Sequence, residues 1–412
     1  MKLRDYQTEI SKKAIDVLNE YKFVYLAMEV RTGKTLTSLD IANKLPRINN
    51  VLFITKKKAI PSIEDDYEKL SPTFSIKVTN YEQLHNVDKR AWDVVIADEA
   101  HCLGAFPKPS KRAKQLKEFI QTSKPYVIFL SGTPTPESFS QFYHQVYGCP
   151  ENPFNKCKNF YRFADQYVNK FERMINGFRV VDYSNGRENI REDMKPFVIS
   201  YSQKEAGFKS EIKEGFLKVN IDPYLYAICE ELKQEKIVEV DNELILADTP
   251  VKLMSKLHQL YSGTVKFESG NTKIFDTSKA EFIKEKFKGK RIGIFYKFKA
   301  ELEALKQVFK EELVTDLPSF DDSDKGKVIA LQIVSGREGI SLRNAEYIVY
   351  YIIDFSATSY WQSRDRMTTK SRLYNKVYWV FSDGGIEPRI YKAVSNKKDY
   401  TLRHFKKDLL NL

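Results

Sequence analysis

The sequence predicts an α/β protein with two sheet-centred domains in tandem and an irregular, partly helical region between them. Three observations lead there. Short apolar runs alternate with helix-patterned stretches over residues 1–147, the same alternation returns over 291–381, and residues 148–215 break the rhythm. Strand and helix signals that alternate in this way imply parallel sheets flanked by helices.

Taken in order, Ile10, Ala14, Val17 and Leu18 recur at helical spacing after RDYQ. FVYLAM (23–28) reads as a buried strand that leads into Gly33-Lys34-Thr35 at the start of a helix. VLFIT (51–55), FSIKVT (74–79), DVVIA (93–97) and YVIFL (126–130) are further short strands. Residues 148–215 are rich in aromatic and basic side chains, as in NPFNKCKNFYRFADQYVNKF, and YSNGRENIRED carries an Asn-Gly turn signal. They read as an insertion or accessory subdomain. LYAICEELKQ and VKLMSKLHQLY make 223–262 look helical. RIGIFY (291–296), VIALQI (328–333), EYIVYYI (346–352) and VYWVF (377–381) are the second set of strands, with helices near 299–312 and 358–368 and an acidic loop at 319–327. The expected division is a first domain over 1–147, the insertion over 148–215, and a second domain over 216–412 that begins with helices.

Hydrophobic residues at 42% and aromatics at 13% exclude a disordered chain. No run approaches the roughly 18 apolar residues of a membrane span, so no membrane partner is expected. The opening MKLRDYQTEI turns polar at once, so no secretory leader is expected either. Four cysteines (Cys102, Cys149, Cys157 and Cys229) suit a reduced, intracellular protein, expected in the cytoplasm. Cys149 and Cys157, with His144 nearby, lack the spacing of a zinc site and read as plain thiols. Net charge is +12, and residues 364–412 hold 12 Lys and Arg against 5 Asp and Glu. Such a surplus fits a polyanionic partner, nucleic acid being the usual one, or simply a basic soluble surface.

Two motifs carry chemistry. LAMEVRTGKTLTS (26–38) ends in GKT, yet Met28 stands where the generic phosphate loop has its first glycine, and a bulky Arg31 lies inside the loop. Such a loop works because backbone N–H groups at a helix N-terminus point at the anion. Gly33 allows close backbone approach, Arg31 and Thr32 line the loop, Lys34 is the point charge for the β- and γ-phosphates, and Thr35 offers a hydroxyl to Mg²⁺. ATP and Mg²⁺ are therefore the expected cofactors. VVIADEAHC (94–102) is an apolar strand ending in Asp98-Glu99, where Asp98 would hold Mg²⁺ and Glu99 would orient and deprotonate the attacking water. The plainer alternative is a strand ending in a solvated acidic turn.

Asp98-Glu99-Ala100-His101 resembles the DEAH box of superfamily 2 helicases, and the chain from about residue 3 to 381 resembles that superfamily's SWI/SNF-type branch. The resemblance implies two RecA-like domains in tandem with an ATP cleft between them. LRDYQ resembles the adenine-reading Q motif, which assigns Gln7 to the base. VLFITKKKAI resembles motif Ia, with Thr55 and Lys56 on the nucleic-acid backbone, although a solvated helix start would also explain Lys56-Lys57-Lys58. VTNYEQL resembles the segment around motif Ib, with Thr79 and Tyr81 on the strand-tracking surface. LSGTPTPES resembles motif III, in which Ser131 and Thr133, with His101, couple the ATP and nucleic-acid sites. IVSGREGISLRNAEYIVYYIIDFSATSYWQSRDRM resembles motifs V and VI. There Ser335 joins the nucleic-acid contacts, Gly339 the nucleotide site and Gln362 the coupling residues, while Arg366 is the arginine that reaches the γ-phosphate.

One position departs from the family pattern. The second motif VI arginine falls at Thr369, and Arg364, Lys370 and Arg372 are the cations near enough in sequence to replace it. Arg364 is the substitute named, and Arg31, at the apex of the phosphate loop, would offset part of the loss unless it is only a surface arginine braced by a carboxylate. The activity implied is a nucleic-acid-dependent ATPase, either a DNA helicase or a duplex translocase. It would act as a monomer on duplex or forked DNA, with a replication, recombination or repair protein as possible partner. The compact, Lys- and Asn-rich chain would suit a bacteriophage or bacterial protein. An RNA helicase and a non-catalytic nucleic-acid-binding module are the alternatives.

Overall fold

The structure is a computed structural model that describes residues 3–89, 92–175, 178–209, 211–323, 326–336, 340–369, 372–396, 399–401, 404, 405 and 408 of the 412. Its contacts divide the chain into two compact units, Met1–Phe208 and Lys209–Leu412.

The first unit is built on α1 (Asp5–Tyr21) and strands β1 (Phe23–Met28), β2 (Asn50–Thr55), β3 (Ser75–Asn80), β4 (Val94–Asp98) and β5 (Tyr126–Leu130). A hairpin, β6 (Phe171–Ile175) with β7 (Phe178–Asp182), follows, and then β8 (Val198–Tyr201). The main sheet runs β3-β2-β4-β5-β1-β8, and every pairing in it is parallel. Its inner strands β1, β2, β4 and β5 read as apolar runs because both faces are covered, whereas the edge strands β3 and β8 are partly exposed. Phe23 and Tyr25 pack into one core and Val24, Leu26 and Met28 into the other, as the two-residue period of a strand requires.

Residues 148–208 belong to this unit. Phe154, Phe160, Phe163, Ile190, Met194 and Phe197 pack into the core beneath Phe23 and Tyr25, and β8 extends the sheet beside β1. The expected division at residue 147 reflects a loss of strand rhythm, whereas the aromatic side chains beyond it complete one face of the first sheet.

The second unit carries β9 (Glu211–Val219), a hairpin of β10 (Ile237–Val240) and β11 (Glu243–Leu246), a small ribbon of β12 (Thr264–Lys266) and β13 (Thr272–Ile274), then β14 (Ile292–Tyr296), β15 (Leu313–Val314), β16 (Val328–Gln332), β17 (Tyr347–Tyr350) and β18 (Tyr374–Ser382). Its main sheet has the order β15-β16-β14-β17-β18-β9, again parallel throughout. The stretch 223–262, expected to be helical, holds two helices (Pro223–Glu235 and Pro250–Leu260) with the β10–β11 hairpin between them. Asp241 and Asn242, at φ 54° and 62°, form its two-residue turn, the left-handed pair that matches strand twist.

Candidate functional site

Parallel pairing places the C-terminal ends of β1, β2, β4 and β5 on one edge of the first sheet, where α/β proteins bind ligands. β5 lies between β1 and β4, so the loop after β5 separates the GKT loop from the DEAH turn.

The loop after β1 is braced from two sides. Gly33, at φ 84°, caps the helix Lys34–Lys44, and Arg31 is also left-handed at φ 65°. From α1, the Gln7 side-chain oxygen accepts from the Arg4 N–H at 2.9 Å, while its Nε2 donates to the Gly33 carbonyl at 3.2 Å and reaches Thr37 Oγ1 at 3.4 Å. The Tyr6 hydroxyl donates to the Thr32 carbonyl at 3.0 Å. From the segment after β8, Gln203 donates its side-chain amide to the Val30 carbonyl at 2.9 Å and its backbone N–H to the Glu29 carboxylate at 2.7 Å. Within the loop, Thr32 Oγ1 and Lys34 Nζ donate to the Glu29 carbonyl at 2.7 and 3.3 Å. A Cβ at position 33 would stand 2.4 Å from Gln7 Nε2 and displace that amide, and the φ of 84° independently favours glycine.

Gln7, assigned to adenine by resemblance, here holds the loop with both amide ends. Tyr6, Glu29 and Gln203 were not legible as site residues. Of these, Tyr6 carried a signal in its place beside Gln7 and Glu29 in its place within LAMEVRTGKTLTS, whereas Gln203 carried none.

At the DEAH turn, Asp98 accepts from the Thr55 hydroxyl at 2.7 Å, and the Tyr81 hydroxyl donates to the Asp98 carbonyl at 2.7 Å. Burial pushes the Asp98 carboxyl from 3.8 up to about 6, the neighbouring Glu99 charge adds to the rise, and the Thr55 hydroxyl and Lys34 ammonium oppose it. Glu99 takes the left-handed conformation at φ 51°, uncommon for a residue with a Cβ and typical of functional turns. His101 Nδ1 lies 3.3 Å from Glu99 Oε2 and 3.0 Å from Ser131 Oγ, and Ser131 Oγ accepts from the Thr133 N–H at 3.1 Å. One chain of contacts thus links the acidic pair to the SGTP loop.

Three of the residues assigned to nucleic acid have little exposed surface: Thr55, at the end of the inner strand β2, is fully buried with its hydroxyl on Asp98, Thr79, near the end of the edge strand β3, is 7% exposed, and Tyr81, just after β3, is 2% exposed. Lys56 is half-buried, and Lys57 and Lys58 are exposed in the turn Lys57–Ala59 after β2.

In the second unit, Gln362 and Arg366 are both buried. Arg366 Nε donates to the Gln362 carbonyl at 3.1 Å and Nη1 reaches the Ile340 carbonyl at 3.4 Å. Gln362 Oε1 is buried without a hydrogen-bond partner among the described residues. Arg364 is committed elsewhere: it pairs with Glu214 at 3.0 Å, donates to the Tyr360 hydroxyl at 2.9 Å and stacks 3.9 Å over Trp361. Gly339 lies outside the described residues, as does the side chain of Ser335. The four cysteines are unpaired thiols, and no group of three or more metal-ligating His, Cys, Asp or Glu occurs among the described residues. No helix among them is long and apolar enough to cross a membrane.

A family model described as the SNF2-related domain matches residues 13–223, just over half of the chain. The chain belongs to the SNF2-related domain family. Membership places it among superfamily 2 ATPases of SNF2 type, which use a nucleotide and act on nucleic acid. No curated protein matches it. Among solved structures it is similar to the Sulfolobus solfataricus SWI2/SNF2 ATPase core domain, with 17% identity over 96% of this chain and 89% of that chain and a TM-score of 0.43. The SNF2 match covers most of the first unit and the first strand of the second. The remainder of the second unit is an α/β unit on its own topology.

Proposed function

We propose that this SNF2-family chain hydrolyses ATP in response to DNA and couples the turnover to movement along it, as a duplex translocase or helicase. The observation that carries the reading is the contact chain Glu99–His101–Ser131–Thr133, which connects the hydrolytic carboxylate to the loop after β5.

The residues fit a nucleotide with its cation. A left-handed glycine caps a helix whose first residue is Lys34, and a buried carboxylate is held by a hydroxyl one strand away. The Lys34 ammonium and the loop amides would hold the phosphates, with Thr35 and Asp98 holding Mg²⁺, whose chemistry is to neutralise phosphate charge. Glu99 positions and deprotonates the attacking water. Arg366 is the cation assigned to the charge that spreads over the transferring phosphoryl group. Lys57 and Lys58, together with Lys56, are the phosphate contacts assigned beside this edge, so binding is expected to be salt-sensitive and largely blind to sequence.

The test compares wild type with Lys34→Ala for phosphate release, alone and with single-stranded DNA, duplex DNA or RNA. Stimulation by DNA that vanishes in the variant supports the reading, and triplex displacement without unwinding narrows it to translocation. Background release by both proteins with every nucleic acid sinks it, and stimulation by RNA alone assigns the enzyme to RNA.

A further inference from the structure

The first unit contains a second concavity, of about 550 Å³, enclosed by residues 107–161. None of the GKT, DEAH or SGTP residues lines it. Lys108, Lys117 and Lys158 are in its wall, which contains no Asp or Glu. The wall also carries the rings of Tyr143, His144, Tyr147, Phe154, Phe160 and Tyr161. The Phe160 ring stacks on His144 at 5.5 Å and 22°, and the Lys117 ammonium sits 4.5 Å over the Tyr147 ring. His144 Nδ1 lies 2.7 Å from the Ala105 carbonyl, and a carbonyl only accepts, so Nδ1 carries the proton. Burial pushes this imidazole down to about 4, which leaves it neutral with Nε2 unprotonated. The Tyr147 hydroxyl is buried without a hydrogen-bond partner among the described residues. At the rim, Tyr161 is 49% exposed, and Lys108 and Lys158 are exposed as well.

Much of this aromatic cluster is core, since Phe160 and Phe154 support the first sheet. Core packing does not explain why the open side combines exposed cations, an exposed tyrosine and no carboxylate. The exposed ammonium groups of Lys108 and Lys158, in a wall without a carboxylate, favour an anion, and the exposed Tyr161 ring favours a flat π-system. One ligand presents both at adjacent positions, a nucleotide of a single strand, whose base stacks while its phosphodiester meets lysine. A duplex keeps its bases stacked on one another and has no free face to offer.

We propose that this concavity takes one base of single-stranded nucleic acid, with the flanking phosphates on Lys108 and Lys158 and the base against Tyr161. The site is separate from the nucleotide loop, and the proposal stands whether or not the chain hydrolyses ATP.

The test uses the full chain and fluorescence anisotropy with labelled oligothymidylate and, separately, a blunt duplex of the same length. Lys108→Glu with Lys158→Glu is expected to weaken single-strand binding at least about tenfold, and to lower the log K against log salt slope by about 1.4, at about 0.7 per phosphate contact. Tyr161→Ala is expected to cost about tenfold with the salt slope unchanged, as the loss of one stacking partner should. All three side chains are exposed, and unchanged thermal melts show that the variants fold. Duplex affinity stays within about twofold in each. Bromouracil-substituted oligothymidylate should photocross-link within residues 143–161. Wild-type single-strand affinity in every variant, parallel loss of single-strand and duplex binding, or cross-links confined to other segments each overturns the proposal. Polyglutamate that competes as well as oligothymidylate overturns it in favour of an acidic protein partner.

Discussion

The Gln7 amide donates to the Gly33 carbonyl at 3.2 Å and occupies the space where a Cβ at position 33 would lie. The start of α1 and the phosphate loop are therefore one unit. Gln7→Ala removes the support of that carbonyl and of the Arg4 N–H, a loss of about 1–2 kcal/mol. The KM for ATP should rise about tenfold while kcat changes less. Gly33→Ala meets both a clash and a left-handed φ, and should abolish turnover. Steady-state kinetics of the two variants check this, and an unchanged KM in Gln7→Ala refutes the bracing role.

Asp98 gives a pH signature with a defined sign. Its folded carboxyl titrates near 6, against 3.8 ordinarily, so between those values the native state binds more protons than the unfolded chain. Stability from this group is therefore highest below about pH 4, falls as pH rises through 6, and is flat above. Asp98→Asn, melted without nucleotide or divalent cation, should be more stable than wild type at pH 7.5, by on the order of 1–3 kcal/mol, with the advantage vanishing near pH 4. An advantage equal at both pH values contradicts this account.

Arg364 and Arg366 should separate cleanly. Arg364 pairs with Glu214, which also accepts from the Tyr360 and Tyr391 hydroxyls, so its charge serves the packing between β9 and the helical turns after β17. Arg364→Lys cannot reproduce that fork and stacking geometry. It should lower the melting temperature and leave kcat within about threefold. Arg366→Lys should lower kcat at least about 100-fold, and because this guanidinium is also buried on two backbone carbonyls its melting temperature should fall as well. A large kcat loss in the Arg364 variant with unchanged melting would return it to the list of replacements for the arginine missing at Thr369.

The His101–Ser131 contact predicts a defect in coupling. With His101→Ala or Ser131→Ala, the ratio of DNA-stimulated to basal ATPase should fall about tenfold, more than basal turnover itself, since a lost hydrogen bond of this kind is worth about 1–1.5 kcal/mol. Equal losses in both rates would assign the pair to the chemistry alone.

Much of the architecture was legible for a local reason. A strand in a parallel sheet is apolar on both faces, so FVYLAM, DVVIA, YVIFL and VIALQI announce themselves without knowledge of their neighbours. GKT and DEAH are legible because helix capping and strand-end chemistry act over three or four residues. The β10–β11 hairpin was missed although VEV alternates and Asp241-Asn242 is a turn signal, because the helical patterns on either side masked it.

What lay outside the sequence depends on register and on long-range closure. Thr55 looks like a surface residue after an apolar run, and only the pairing of Ile54 with Ala97 sets its hydroxyl against Asp98. Gln203 reaches the loop because β8 pairs with β1, a contact across more than 170 residues that no local pattern encodes. Arg364 and Arg366 are two residues apart and chemically alike, yet one meets Glu214 and the other faces the Gln362 and Ile340 carbonyls. Residue type and spacing told where strands run and which chemistry the loops can hold. Which hydroxyl meets which carboxylate, and which of two arginines meets a carboxylate and which meets carbonyls, follows from side-chain directions that exist only once the sheets have closed.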